Sequence, residues 1–175
     1  MEKVNKKLLK LCSFYVSDWH LITMMLPYLN EEINKENKIV TILEKDIKDK
    51  VETLVQKLNL KNSERILDTK WNVMKTKKYA EIKNLLNMES KLSTRLTIII
   101  DGSKKFIDTV NKNIERWIKQ DKNVQNIKLI NCYEITEFNY NINEILDEHD
   151  KILNTSGERK IEDIFEGYEK SKKIG

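Results

Sequence analysis

Asp101 closes the apolar run Leu96–Ile100 in "LTIIIDGSKKF" and is followed by Gly102 and a charged segment. A carboxylate at the end of a strand is where a nucleotide-binding protein can hold magnesium, so its chemistry is the first to test. That chemistry needs a companion loop, with glycines that expose backbone N–H groups, a lysine for the phosphates and a hydroxyl for the metal. The stretch after the first apolar run, "YVSDWH", has neither glycine nor lysine, and Asp18 and Trp19 add negative charge and bulk. No G-x-G-x-x-G occurs either, so a phosphate loop and a dinucleotide site are rejected. Asp101 or Ser103 is then expected to cap the helix that follows, with Gly102 relaxing the turn. The competing enzymatic reading is a divergent nucleotide hydrolase or phosphotransferase that uses Asp101 and a bare helix N-terminus as its anion site.

The remaining reactive side chains point away from catalysis. His20, beside Trp19 at a strand-to-helix turn, can contact a ligand or sense pH, or simply pack and hydrogen-bond at the helix start. His149 follows "NEILDE", where an imidazole can meet the last carbonyls of a helix. Neither joins a Ser-His-Asp or Cys-His order. Glu31/Glu32 and Asp147/Glu148 lie in solvated helical patterns, whereas a catalytic carboxylate pair needs burial to separate two pKa values. Trp71 with Tyr79, and Tyr133 with Phe138, can line a pocket or pack in the core. Cys12 and Cys132 sit inside separate apolar runs without metal-ligand spacing and read as buried, reduced thiols. No cofactor and no metal site is implied.

These residues need elements to position them. Strands are expected at Leu11–Val16, Ile39–Leu43, Leu96–Ile100 and Ile127–Tyr133, with a shorter one at Arg65–Leu67, because each run is rich in β-branched or otherwise apolar residues. Helical spacing gives helices over about 19–36, 47–59, 76–89, 103–120 and 138–148. The clearest is the set Phe106, Ile107, Val110, Ile114, Trp117 and Ile118, which falls on one helix face. Pro27 predicts a kink or a late start in the first helix. Strands that alternate with helices predict a three-layer α/β fold, RecA- or Rossmann-like, with a mostly parallel sheet between helices. Ligands of such sheets bind outside the carboxyl ends of the strands, which singles out Tyr15, Asp18, Trp19, His20, Trp71, Asp101, Ser103 and Tyr133 as ligand-binding candidates.

The chain of 175 residues fits one domain, 1–175, with a C-terminal tail expected to be mobile from about 170. The segment "MESKLSTR" at 88–95 reads as an exposed connection. A net charge of +4, from 32 basic and 28 acidic residues with interleaved signs, lacks the concentrated basic face that nucleic acid requires. No apolar run approaches the roughly 20 residues needed to cross a bilayer, and the N-terminal segment reads as the first strand of a cytoplasmic protein.

Three stretches together resemble the MEDS domain, the sensory domain of methanogen and methylotroph regulators such as the dichloromethane-responsive repressor. They are "FYVSDWHLITMMLPYLNEEINKENKIVTILE", "DTKWNVMKTKKYAEIKNLL" and "LINCYEITEFNYNINEILDEHDKIL". In the last of them Cys132, Tyr133, Glu134, Phe138, Ile145, Leu146 and His149 fall at the family's order and spacing, and the resemblance spans about residues 9 to 155. It implies a RecA-type fold that has lost its phosphate loop and serves as an input domain. The function then expected is a stand-alone, non-enzymatic sensory domain in signal transduction or transcription control. It would bind a small ligand, a regulatory protein partner such as a sensor kinase or transcription regulator, or both. Direct contact with nucleic acid or membrane is not expected, and oligomerisation is compatible with this reading.

Overall fold

The computed structural model describes residues 7–71, 73–74, 78–93, 95–120, 126–135 and 142–169. The predicted mobile tail and Phe138 lie outside them. Six strands form one sheet: β1 (Lys7–Tyr15), β2 (Lys38–Leu43), β3 (Arg95–Asp101), β4 (Asn126–Glu134), β5 (Lys151–Asn154) and β6 (Gly157–Arg159). Their order is β2-β3-β4-β1-β5-β6, and every neighbouring pair is parallel except β5 with β6. The helices are α1 (Asp18–Asn34), α2 (Lys48–Lys57), α3 (Ser63–Asp68), α4 (Tyr79–Ser90), α5 (Lys104–Gln120), α6 (Ile142–Asp147) and α7 (Ile161–Ile164). This is the expected three-layer α/β architecture.

Successive strand residues point to opposite faces, and the core divides accordingly. Leu11, Leu43, Ile99, Ile130 and Cys132 join the helices α1, α2 and α3 on the first face. Cys12, Ile42, Ile98, Ile100 and Leu129 join α4, α5, α6 and α7 on the second. All six apolar positions read on the α5 face are buried there, from Phe106 to Ile118. Cys12 and Cys132 are both buried free thiols on opposite faces of the sheet, and burial pushes the Cys12 thiol up to about 12.

Several expectations change. Arg65–Leu67 is not a strand but the centre of α3, which buries Ile66 against the first face. The first helix does not start late: α1 runs from Asp18 through Pro27 to Asn34. Proline has no N–H to give the carbonyl of Thr23, and both residues lie on the exposed side of the helix. Trp71 and Tyr79 do not share a pocket, because Trp71 packs with the first-face cluster and Tyr79 with the second. The hairpin β5–β6 was not anticipated. Around its turn, Asn154 Oδ1 accepts from Ser156 N–H, and Gly157 takes a positive φ of 96° that other residues adopt at a cost.

Two polar networks fasten the layers. On the first face the buried Glu32 of α1 meets Lys128 Nζ of β4 at 2.9 Å and accepts from Thr97 Oγ1 of β3 at 3.0 Å. Lys128 also reaches Glu158 of β6 at 2.9 Å, and Tyr28 of α1 donates to that carboxylate at 2.5 Å. On the second face Asn131 and Asn111 exchange hydrogen bonds of 2.9 and 3.0 Å, and Asn131 Nδ2 donates to His149 Nε2 at 2.9 Å. The other ring nitrogen, Nδ1–H, donates to the Ile145 carbonyl, closing the end of α6 as its sequence position suggested.

Both rims of the sheet are occupied or short. Along β2, Thr41 Oγ1 donates to the Lys70 carbonyl, Leu43 forms a bridge with Val73, and Met74 N–H donates to the Leu43 carbonyl at 2.8 Å. At the other rim β6 has only three residues.

Candidate functional site

The chain leaves β1 and β2 towards the first face, through α1 and α2, and leaves β3 and β4 towards the second, through α5 and α6. Diverging exits open a crevice above neighbouring strand ends, the usual ligand position in such sheets. A pocket of about 170 Å³ lies there, lined by Tyr15, Glu44, Lys45, Gly102, Ser103 and Glu134.

Beneath it is Asp101, fully buried at the end of β3. Alternation along β3 turns its carboxylate to the first face, where Tyr15 O–H donates to Oδ1 at 2.6 Å. Oδ2 accepts no hydrogen bond among the described residues, although the Lys45 ammonium stands 4.0 Å away. Burial raises the Asp101 carboxyl to about 6, against the pull of the Tyr15 hydrogen bond and the Lys45 charge; Asp18 and Glu134 raise it further. Burial also pushes the Tyr15 hydroxyl upward, helped by the Asp101 charge and hydrogen bond, so the phenol keeps its proton.

Lys45 links the carboxylates. Its ammonium is 2.7 Å from Asp18 Oδ1, 4.0 Å from both Asp101 Oδ2 and Glu134 Oε2, and 4.8 Å from the centre of the Tyr15 ring. Burial alone would lower its pKa, but the Asp18 hydrogen bond and the charges of Asp101, Asp18 and Glu134 hold it above the usual lysine value. Lys50 repeats the arrangement, with 2.8 Å to Asp18 Oδ2 and 5.7 Å to the centre of the Trp19 ring. For Asp18, the burial that would raise its pKa is outweighed by hydrogen bonds from both lysines, which hold it below the usual carboxylate range.

Two of the helix starts at this rim, those of α1 and α5, are already filled. The β1–α1 connection is Val16 and Ser17 alone. Ser17 Oγ accepts from His20 N–H at 3.2 Å as the N-cap, while His20 Nδ1 accepts at 3.0 Å from the N–H of Val16, the residue before the cap. At α5, Ser103 Oγ accepts from Phe106 N–H at 3.2 Å, and Glu44 Oε1 accepts from Ser103 N–H at 2.8 Å. Ser103, and not Asp101, is therefore the cap. Gly102 is needed for close approach: a Cβ there would lie 2.6 Å from the Phe106 ring and 2.9 Å from Glu44 Cβ.

Of the eight residues singled out by sequence, Tyr15, Asp18, Trp19, Asp101 and Ser103 come together at this rim. His20 adjoins it but is turned to its own helix start. Trp71 is buried in the first-face core, its Nε1–H donating to the Ile66 carbonyl at 2.9 Å. Tyr133 lies on the second face, with Phe14 stacked at 5.8 Å and His149 edge-on at 6.1 Å. Glu44, Lys45, Lys50 and Glu134 complete the site. For Glu44, Lys45 and Glu134 the signal is position, since Glu44 and Lys45 directly follow β2 and Glu134 ends β4, whereas Lys50 lies inside α2.

No family model matches the chain, and no curated protein does. The arrangement at the strand ends must therefore be interpreted from its own chemistry. Among the described residues no group of three or more His, Cys, Asp or Glu side chains is placed to hold a metal ion, and no helix is long and apolar enough to cross a membrane.

Proposed function

We propose that this chain is a non-enzymatic, cytoplasmic sensory domain of the MEDS type, which binds a small ligand at the carboxyl ends of its strands and passes the signal to a regulatory protein partner. The observation that carries the reading is Asp101, a carboxylate held without exposure beneath a small pocket with one oxygen lacking a hydrogen bond. A buried charge of this kind costs stability, and its retention at a strand-end crevice favours a role in recognition. A pocket of about 170 Å³ suits one small polar group; a nucleoside triphosphate would also need N–H donors, and at the starts of α1 and α5 Ser17, Asp18 and Glu44 already sit. A bound ligand would act by favouring one arrangement of Lys45 and Lys50 over another, because ligands shift states only through differential affinity.

Thermal-shift and calorimetric titration with a panel of small metabolites tests this, with ATP and GTP plus magnesium included for contrast. A compound should stabilise the protein and lose that effect in Asp101→Asn, while the nucleotides give no heat. Nucleotide–magnesium binding that disappears in Asp101→Ala would favour the enzymatic reading. No stabilising compound, together with no protein partner recovered in pull-downs, would sink the proposal.

A further inference from the structure

We infer that the strand-end pocket recognises a small organic dication, a short alkyl diamine with two primary ammonium groups; this specifies the ligand class of the sensory site and rests on that reading. Asp18, Asp101 and Glu134 face two ammonium groups, Lys45 and Lys50, and a fourth carboxylate, Glu44, lines the same pocket while accepting from Ser103 N–H. The rim therefore lacks two positive charges, with the α5 N-terminus partly offsetting that of Glu44. The chain's own ammonium groups show how such charges are bound. Each lies over an aromatic ring and beside a carboxylate: Lys45 over Tyr15 and Lys50 over Trp19.

Lys45 does not satisfy its surroundings. It is within hydrogen-bond distance of Asp18 only and stands 4.0 Å from both Asp101 and Glu134, leaving the buried Oδ2 of Asp101 unbonded. A free ammonium entering between Asp101 and Glu134 would donate to both, and a second, reaching past the pocket lining, would compete with Lys50 for Asp18 and the half-exposed Trp19. The pocket of about 170 Å³ is small, which suits a short organic cation better than a bulky one. A hydrated metal ion is a poorer occupant, since the carboxylates do not converge on one point and aromatic faces favour an organic cation.

Calorimetry with 1,4-diaminobutane, 1-aminobutane and magnesium chloride on the full chain tests the assignment. The diamine should bind at least tenfold more tightly than the monoamine. Its affinity should fall about tenfold in Asp101→Asn and in Glu134→Gln, a substitution at the surface rim that leaves the core untouched. Lys45→Met, which removes the internal competitor, should raise affinity severalfold. Equal binding of diamine and monoamine, unchanged affinity in Glu134→Gln, preference for magnesium, or loss of binding in Lys45→Met would each overturn it. If the diamine gives no heat but another metabolite binds in an Asp101-dependent way, the ligand class is wrong and the sensory reading stands. If nothing binds and no partner is recovered, both fall.

Discussion

Asp101 and Glu32 are both carboxylates with no exposure on the first face of the sheet, yet they carry opposite expectations on substitution. Glu32 has a direct ionic partner in Lys128 at 2.9 Å. Lys128→Met should cost about 3 kcal/mol in urea unfolding, because it strands a buried charge, and adding Glu32→Gln should recover most of that loss. Asp101 has only a distant ammonium, and a folded pKa of about 6 against a reference of 3.8 makes its ionised form unfavourable by about 3 kcal/mol above pH 6. Asp101→Asn keeps an acceptor for the Tyr15 hydroxyl. It should therefore stabilise the protein by about 1–2 kcal/mol at pH 7, part of the gain being lost to the unpaired amide N–H groups. A stabilising substitution at the residue proposed to hold the ligand is the pattern expected where function and stability compete.

At the scale of elements, the joint between β3 and α5 is the most exacting. Gly102→Ala would press a methyl group into Phe106 and Glu44, moving the carboxylate that caps Ser103. A loss of about 1–3 kcal/mol in thermal unfolding is expected, and Glu44→Ala alone should lose about 1 kcal/mol through the cap. The four long strands were legible in the sequence because buried parallel strands read as continuous apolar runs, and α5 because its apolar residues hold one face. The failures were short elements. "RIL" in α3 supplies one buried residue, too few to distinguish a period of two from one of 3.6. In "KILNTSGER" the hairpin is held by Asn154, Gly157 and the Glu158 contacts to Lys128 and Tyr28, none of which is an apolar pattern. The site was half legible for a related reason. Strand ends could be named, but which face Tyr133 or Asp101 occupies depends on register, and Lys45 and Glu134 resemble ordinary solvated charges until the strands are brought side by side.

Across the whole molecule, the two faces of the sheet oppose each other in their response to acid. His149 is surrounded by Asn131, the Ile145 carbonyl and the charges of Lys10, Asp150 and Asp108; burial first of all lowers its pKa to about 4 from 6.5. As pH falls from 6.5 to 4 the unfolded chain takes up that proton and the folded chain does not, so about 3 kcal/mol of stability is lost. Asp101 faces Tyr15, Lys45, Asp18 and Glu134, and between pH 6 and 3.8 its folded form takes up a proton first, returning a similar amount. The two contributions should nearly cancel in chemical denaturation between about pH 5 and 6, above the range where Asp18 and Glu158, both held below their usual values, add their own loss, and Asp101→Asn should expose a fall of up to ~1.4 kcal/mol per pH unit. A flat profile in that variant would show that His149 does not titrate as its surroundings require. The rims of the sheet carry a different lesson. With Lys70, Val73 and Met74 laid along β2 and only three residues in β6, neither side offers a long row of free N–H and C=O groups to an incoming chain among the described residues. Recognition by strand addition is thereby disfavoured, and a partner of the kind proposed would read the domain through side chains on helices and strand-end loops, the surfaces that Lys45 and Lys50 could rearrange.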